Sequence, residues 1–161
     1  MKQPTILYLT VGSFAFLAVG LVITVWLPGY LKDPQPTEFA IDYNDVELEG
    51  RDVYIREGCW YCHTQQVRSI EVDVGTVWLK GDIGPESVPG DYVYQKPVMW
   101  GTNRQGPDLS HAASRPYATK EWHIIHLEDP DNVVPGSIMP SFEHLNDGDM
   151  DALSDYLMAL K

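Results

Sequence analysis

Apolar residues are spread unevenly along this chain. From Ile6 to Leu27 it reads ILYLTVGSFAFLAVGLVITVWL, 22 positions without a charged side chain, and about 20 are needed for a helix to cross the hydrocarbon core of a bilayer. The pattern predicts one N-terminal transmembrane helix. Tyr8 and Trp26 fall near its two ends, where amphipathic rings favour the membrane interface, and Pro28-Gly29 is expected to end it. A cleaved signal peptide has an apolar region of about 7–15 residues followed by a small-residue cleavage site. This run is longer and lacks that ending, so it reads as an anchor.

After the span the periodicity changes. Residues 28–39, PGYLKDPQPTEF, are rich in proline and polar side chains and suggest a short stiff linker. Asn44 or Asp45 can then cap a helix running to about Glu57, with Gly50, Val53 and Tyr54 on one side. Glycine weakens a helix by about 1 kcal/mol relative to alanine, so Gly50 predicts that something packs close, and the C-terminal helix is the candidate. That helix opens with Asn146 and Asp149 in capping spacing and sets Met150, Leu153, Tyr156, Leu157 and Leu160 on one stripe. A third helix is expected from Thr119, carrying Trp122 and Ile125 and stopping before Pro130. Between Thr64 and Arg104 lie eight glycines and prolines, which predict loop or a short hairpin. The expected organisation is an anchor at 1–31, a linker at 32–43 and a folded domain at 44–161.

Charge narrows the partners. Residues 32–161 carry 10 Lys+Arg against 23 Asp+Glu, a formal charge of −13, which argues against nucleic acid. Most of these carboxylates serve a solvated surface, and part of the field is suited to steering a basic protein partner. Lys2 precedes the span and no acidic residue does, while Lys32 is followed by acidic chain. The positive-inside rule therefore favours a cytoplasmic N-terminus in the inner membrane, with the folded domain on the periplasmic or extracytoplasmic side.

Both cysteines of the chain stand in EGCWYCHTQQVR, residues 57–68. Cys-x-x-Cys-His is the attachment signature of c-type haem: Cys59 and Cys62 supply two thioethers and His63 the proximal imidazole. A zinc site would want a second ligand pair, which no other cysteines provide. A thioredoxin-like redox pair would want a βαβ setting, and a Cys59–Cys62 disulfide would stabilise so short a loop little. For a sixth ligand the chain offers Met99, Met139, Met150 and Met158. Met150 and Met158 belong to the terminal amphipathic helix and read as core packing. Met139, in VVPGSIMPSF between two prolines, is the favoured ligand, with Met99 in KPVMWG as the other choice. His123 and His126 read as packing residues, and His111 and His144 as surface residues.

The order Cys-x-x-Cys-His, GPDL at Gly106 to Leu109, a loop methionine and a terminal helix resembles class I cytochrome c domains. Three longer stretches, REGCWYCHTQQVR, GDYVYQKPVMWGTNRQGPDL and EWHIIHLEDPDNVVPGSIMPSF, are similar to the membrane-anchored mono-haem subunit of cbb3-type cytochrome c oxidases, often called subunit II. The segment from Ser69 to Pro89 departs from that pattern. The resemblance implies an all-α fold: one N-terminal transmembrane helix followed by a class I cytochrome c domain with a long loop insertion. It implies one covalent haem c on Cys59 and Cys62, iron bound by His63 and Met139, a Pro107 carbonyl oriented on His63, and Arg104 beside a haem propionate. It further implies that Gly50 lies at a helix crossing with Tyr54 and Tyr156 as the aromatics, and that a calcium ion lies near Thr102 at the interface with the catalytic subunit.

In function, the resemblance implies an electron-transfer subunit of the respiratory chain. It would take electrons from a c-type cytochrome donor and pass them to the haem b of a haem–copper catalytic subunit that reduces oxygen, while catalysing nothing further itself. The alternatives are the mono-haem subunit of a nitric oxide reductase or a related divergent haem–copper enzyme, and a free-standing anchored electron shuttle.

Overall fold

The computed structural model describes residues 3–31, 33–70, 73, 83–101 and 103–161. The chain divides into two compact units, Met1–Gln35 and Pro36–Lys161.

The first unit is helical: α1 (Gln3–Leu21), a π-helical turn (Val22–Trp26) and α2 (Leu27–Leu31). The helix over Thr5–Leu31, 27 residues, is long and apolar enough to cross a membrane. The hydroxyls of Thr10 and Thr24 are satisfied locally, Thr10 donating to the Ile6 carbonyl at 2.9 Å and Thr24 to the Gly20 carbonyl at 2.8 Å, as a water-free setting requires. Pro28-Gly29 does not end the helix as expected, because the chain adapts ahead of it. Proline has no N–H to give and its ring crowds the carbonyl four residues back. Here the Leu27 N–H reaches the Val22 carbonyl five residues back, and this widened turn lets the helix continue to Leu31.

The second unit holds α3 (Asp45–Arg56), α4 (Lys120–Glu128), α5 (Pro130–Val133) and α6 (Asp147–Ala159), with 3₁₀ turns at Cys59–Tyr61, Pro89–Tyr92 and Ala112–Ser114. No strand forms among the described residues. Each long helix starts where its cap dictates. Asn44 accepts from the Glu47 N–H while the Glu47 carboxylate accepts from the Asn44 N–H, a reciprocal capping box. Thr119 accepts from the Trp122 N–H and Asn146 from the Asp149 N–H.

α3 and α6 pack most intimately. A Cβ at Gly50 would lie 1.9 Å from the Ala152 carbonyl oxygen, so only glycine permits this crossing. Tyr54 and Tyr156 meet there at 5.4 Å between ring centroids, and Tyr43 meets Tyr156 at 5.3 Å. The α6 stripe of Met150, Leu153, Tyr156, Leu157 and Leu160 is buried throughout. On α4 the buried face is His123 and Leu127, whereas Ile125 is exposed.

Residues from Pro36 onward fall in the second unit. The Thr37 N–H donates to the Gly90 carbonyl at 3.3 Å and its hydroxyl to Asp91 at 2.5 Å. Arg51 is buried without a carboxylate partner; its guanidinium donates to the carbonyls of Lys96 and Pro97. His111, expected at the surface, is buried against Phe39, with ring centroids 5.4 Å apart. It fills the space that Gly84 leaves, where a Cβ would come within 2.3 Å of the ring. The described parts of the segment between Thr64 and Arg104 are irregular loop and turns with one 3₁₀ turn; its residues 71, 72, 74–82 and 102 lie outside the described residues.

Candidate functional site

α3 stops at Gly58, whose φ of +75° only glycine adopts without strain. The chain turns there into the 3₁₀ segment Cys59–Tyr61, closed by the Cys62 N–H (3.2 Å) and the His63 N–H (3.0 Å) on the Cys59 carbonyl. One turn thereby carries Cys59, Cys62 and His63. Both cysteines are free thiols. Burial pushes the Cys59 thiol up to about 12, so it stays protonated, unlike the thiolate of a dithiol redox centre. Cys62 Sγ lies 3.5 Å from Gln105 Oε1.

His63 is held from behind. Its Nδ1–H donates to the Pro107 carbonyl at 2.8 Å, which fixes the tautomer and leaves the Nε2 lone pair for a ligand. Burial lowers the pKa of the ring, so the neutral form is the one present. The loop bearing Pro107 is anchored on the motif: the Gly106 N–H donates to the Cys62 carbonyl at 2.9 Å and the Leu109 N–H to the Thr64 carbonyl at 2.8 Å. A Cβ at Gly106 would come within 2.2 Å of the His63 ring, so this glycine is the cradle in which the imidazole lies. On another side the Gly101 N–H donates to Thr64 Oγ1 at 3.0 Å. Gly101 and Thr64 lie in stretches that carry the family resemblance, but the bond between them pairs residues 37 apart and is visible only in the fold.

The methionines separate clearly. Met99 is buried in the hydrophobic core, and its carbonyl accepts from the Gln65 N–H at 3.0 Å. Met150 is core as well. Met139 is partly buried against the core, in the loop between α5 and α6. That loop is shaped by Gly136, at φ +81°, whose N–H donates to Asp131 Oδ1 at 2.6 Å. Its far end returns to α4, the Phe142 N–H donating to the Leu127 carbonyl at 2.8 Å.

Arg104 donates to Asp108 at 3.1 Å and to the Gln66 carbonyl at 2.7 Å, and lies 3.5 Å from Asp73. Asp108 is buried, so the pair closes the loop around Pro107 from inside. Thr102 lies outside the described residues, and among the described residues no group of three His, Cys, Asp or Glu is placed to hold a metal ion. His123 and His126 are more than filler. His123 Nε2 and His126 Nδ1 are buried without a hydrogen-bond partner among the described residues. Burial holds the His126 pKa down.

The residues fit a covalent haem. Two free thiols and an imidazole with an open Nε2 share one turn, and a glycine cradle positions the ring. The family model described as cytochrome c oxidase, mono-heme subunit/FixO matches residues 2–160. No curated protein matches the chain.

Proposed function

Because the chain belongs to the mono-haem subunit (FixO) family of cytochrome c oxidases, we propose that it is the electron-transfer subunit that delivers electrons to the haem b of the oxygen-reducing catalytic subunit. The observation that carries this reading is the 2.8 Å bond from His63 Nδ1 to the Pro107 carbonyl beside two unpaired cysteines. That arrangement leaves one imidazole nitrogen and two thiols directed to a single prosthetic group. When bound there, haem c supplies a reversible one-electron iron couple.

The chain's own residues supply the rest. Cys59 and Cys62 attach the group, and burial keeps the Cys59 thiol neutral, which suits thioether formation better than thiolate exchange. His63 Nε2 is the proximal ligand, and Pro107 makes it a stronger donor by drawing on Nδ1–H. Met139 supplies the sixth ligand, because its sulfur is on the loop while Met99 is spent on the core; a thioether there favours the reduced state. Arg104 is the propionate neighbour, with its Nε outside the bonds to Asp108 and Gln66 among the described residues. The anchor holds the N-terminus in the cytoplasm and the haem domain on the outer face, where a c-type cytochrome donor reduces it.

Two experiments test the reading. Mild-detergent purification through this chain should bring down b-type haem together with covalent haem c, and the preparation should consume oxygen when reduced. Haem c alone without oxygen consumption would favour the free shuttle, and nitric oxide consumption would favour the reductase. Met139→Leu should keep the covalent haem and change the axial spectrum; an unchanged spectrum would return the ligand to another residue.

A further inference from the structure

Arg68, Asp73, Arg104 and Asp108 form one ionic group beside the loop that orients His63. Arg104 Nη1 donates to Asp108 Oδ2 at 3.1 Å and lies 3.5 Å from Asp73 Oδ2. Its Nη2 donates to the carbonyl of Gln66, close after His63 in sequence, at 2.7 Å. Asp73 takes three bonds from Arg68, the backbone N–H at 3.2 Å and Nε at 2.6 Å on Oδ2, and Nη2 at 3.1 Å on Oδ1. Both carboxylates are buried, Asp73 with 4% and Asp108 with 0% of the side chain exposed, whereas Arg68 is 46% exposed.

A short path joins this group to the proximal ring. His63 Nδ1–H donates to the Pro107 carbonyl at 2.8 Å. Asp108 is the next residue; its Oδ1 accepts from the Ser110 N–H at 2.8 Å and its Oδ2 holds Arg104. Asp73 reaches Arg104 from the segment between Ser69 and Pro89, which departs from the family pattern. That segment is tied to the chain leaving the haem motif, because the Val67 N–H donates to Ser87 Oγ at 2.9 Å and the Ser87 N–H to the Val67 carbonyl at 3.0 Å. The bonds from Arg68 hold the Asp73 carboxyl below its ordinary 3.8 although burial works against them, so it is ionised at neutral pH. A buried charge is screened less than an exposed one. A fixed negative charge favours ferric iron, which carries one positive charge more than ferrous, and so lowers the potential; a fixed positive charge does the reverse.

We propose that Asp73 tunes the haem that His63 holds: its buried charge, set against Arg68 and Arg104, keeps the potential of the iron below the value that the two arginines alone would impose. The proposal rests on the electron-transfer reading above and adds a residue that sets the driving force of that transfer. Asp73 is a positioning residue, acting through Arg104. Its place in the divergent segment makes it a point at which the potential is adjusted without altering the haem motif or the Pro107 loop.

The test is a redox titration of the covalent haem c in the intact detergent-solubilised complex. Asp73→Asn keeps the shape and removes the charge. The potential should rise, so that at the natural chain's midpoint the ratio of reduced to oxidised haem c increases about 3-fold or more. Arg68→Gln removes the opposite charge from the same pair and should lower the potential, by less because Arg68 is more exposed. The opposite signs are what identify a role for charge: both variants break one ion pair, and a merely structural clip would move both potentials in the same direction. Shifts of the same sign, or none, would overturn the proposal. If Asp73→Asn takes up no haem, Arg68→Lys decides: it keeps the charge without the guanidinium fork, and its potential should stay at the natural value while that of Arg68→Gln falls. Equal potentials in those two variants would overturn the proposal as well. A natural chain without covalent haem c would instead end the electron-transfer reading itself, an outcome seen before any substitution is made.

Discussion

The two sides of the candidate haem site are built on opposite principles. On the His63 side the ligand is surrounded by short-range backbone bonds: Gly106 on Cys62, Leu109 on Thr64, and the Pro107 carbonyl on the ring itself. On the Met139 side the proposed ligand sits on a loop whose neighbours Ile138 and Pro140 are exposed, held mainly where Asp131 takes the Gly136 N–H and Phe142 returns to Leu127. The first side permits no other arrangement of its ring. The second presents its ligand from a surface. A carrier that must keep its proximal geometry constant while meeting changing partners gains from this division, since rigidity is needed at the ring and exposure at the contact.

The sharpest way to break the comparison is to add one methyl group to each side. Gly106→Ala puts a carbon within 2.2 Å of the His63 ring, and the ring cannot yield without losing Pro107. Overpacking of this kind costs about 2–3 kcal/mol. Urea unfolding of the detergent-solubilised holo-chain should show that loss together with reduced haem incorporation. Normal incorporation and stability would mean that the cradle is not what orients His63.

The same side has a second support deeper in the core. Gln65 and Tyr156 exchange hydrogen bonds, Gln65 Nε2 to the Tyr156 hydroxyl at 2.8 Å and the hydroxyl to Gln65 Oε1 at 3.1 Å, both residues being buried. Tyr156→Phe leaves that amide unpaired and should cost about 2 kcal/mol, read in the same unfolding experiment. A loss well under 1 kcal/mol would show that Gln65 finds another partner. The effect of this change should be on stability, with the axial spectrum kept.

How much of this was legible beforehand differs by side and by kind of force. The ends of α3, α4 and α6 were readable because Asn44, Thr119 and Asn146 cap by local chemistry. Gly50 was readable because a helix keeps glycine at some expense to itself, and the Ala152 backbone is what it makes room for. The Cys59, Cys62 and His63 triad follows from spacing alone; Met99 packs in the core, while Met139 is partly buried beside it. What could not be read was long-range. His111 looked polar and exposed, yet Gly84 and Phe39, distant in sequence, enclose it. Pro28 looked like a stop, but a helix can widen one turn and pass it. The burial of unpartnered nitrogens on His123 and His126 is visible only once α4 is packed, because three-residue spacing describes a packing histidine equally well.

On the methionine side the matching substitution should be gentler. Gly136→Ala meets nothing within 4 Å, so its only penalty is the positive φ of +81°, about 1 kcal/mol for a residue with a Cβ. The unfolding midpoint should move less than for Gly106→Ala, and haem incorporation should stay normal. If the two glycines proved equally sensitive, the division between a closed and an open side would collapse.

The smallest effect is expected where the two sides are clipped together at the surface. His144, five residues beyond Met139, lies 3.1 Å from Glu57, which precedes the haem motif and is also paired with Arg56. Arg56 first, and then His144, hold the Glu57 carboxyl below its ordinary 4.5. A carboxylate with a lowered folded-state pKa stabilises the fold fully above the unfolded value and loses that contribution as the pH falls through the folded one. Glu57→Gln should therefore cost less than about 1 kcal/mol at neutral pH, because exposed pairs are screened by water, and the difference from the natural chain should vanish when unfolding is repeated well below pH 4.5. A difference that persisted in acid would have to come from packing of the Glu57 side chain, and the clip would then be steric instead of electrostatic.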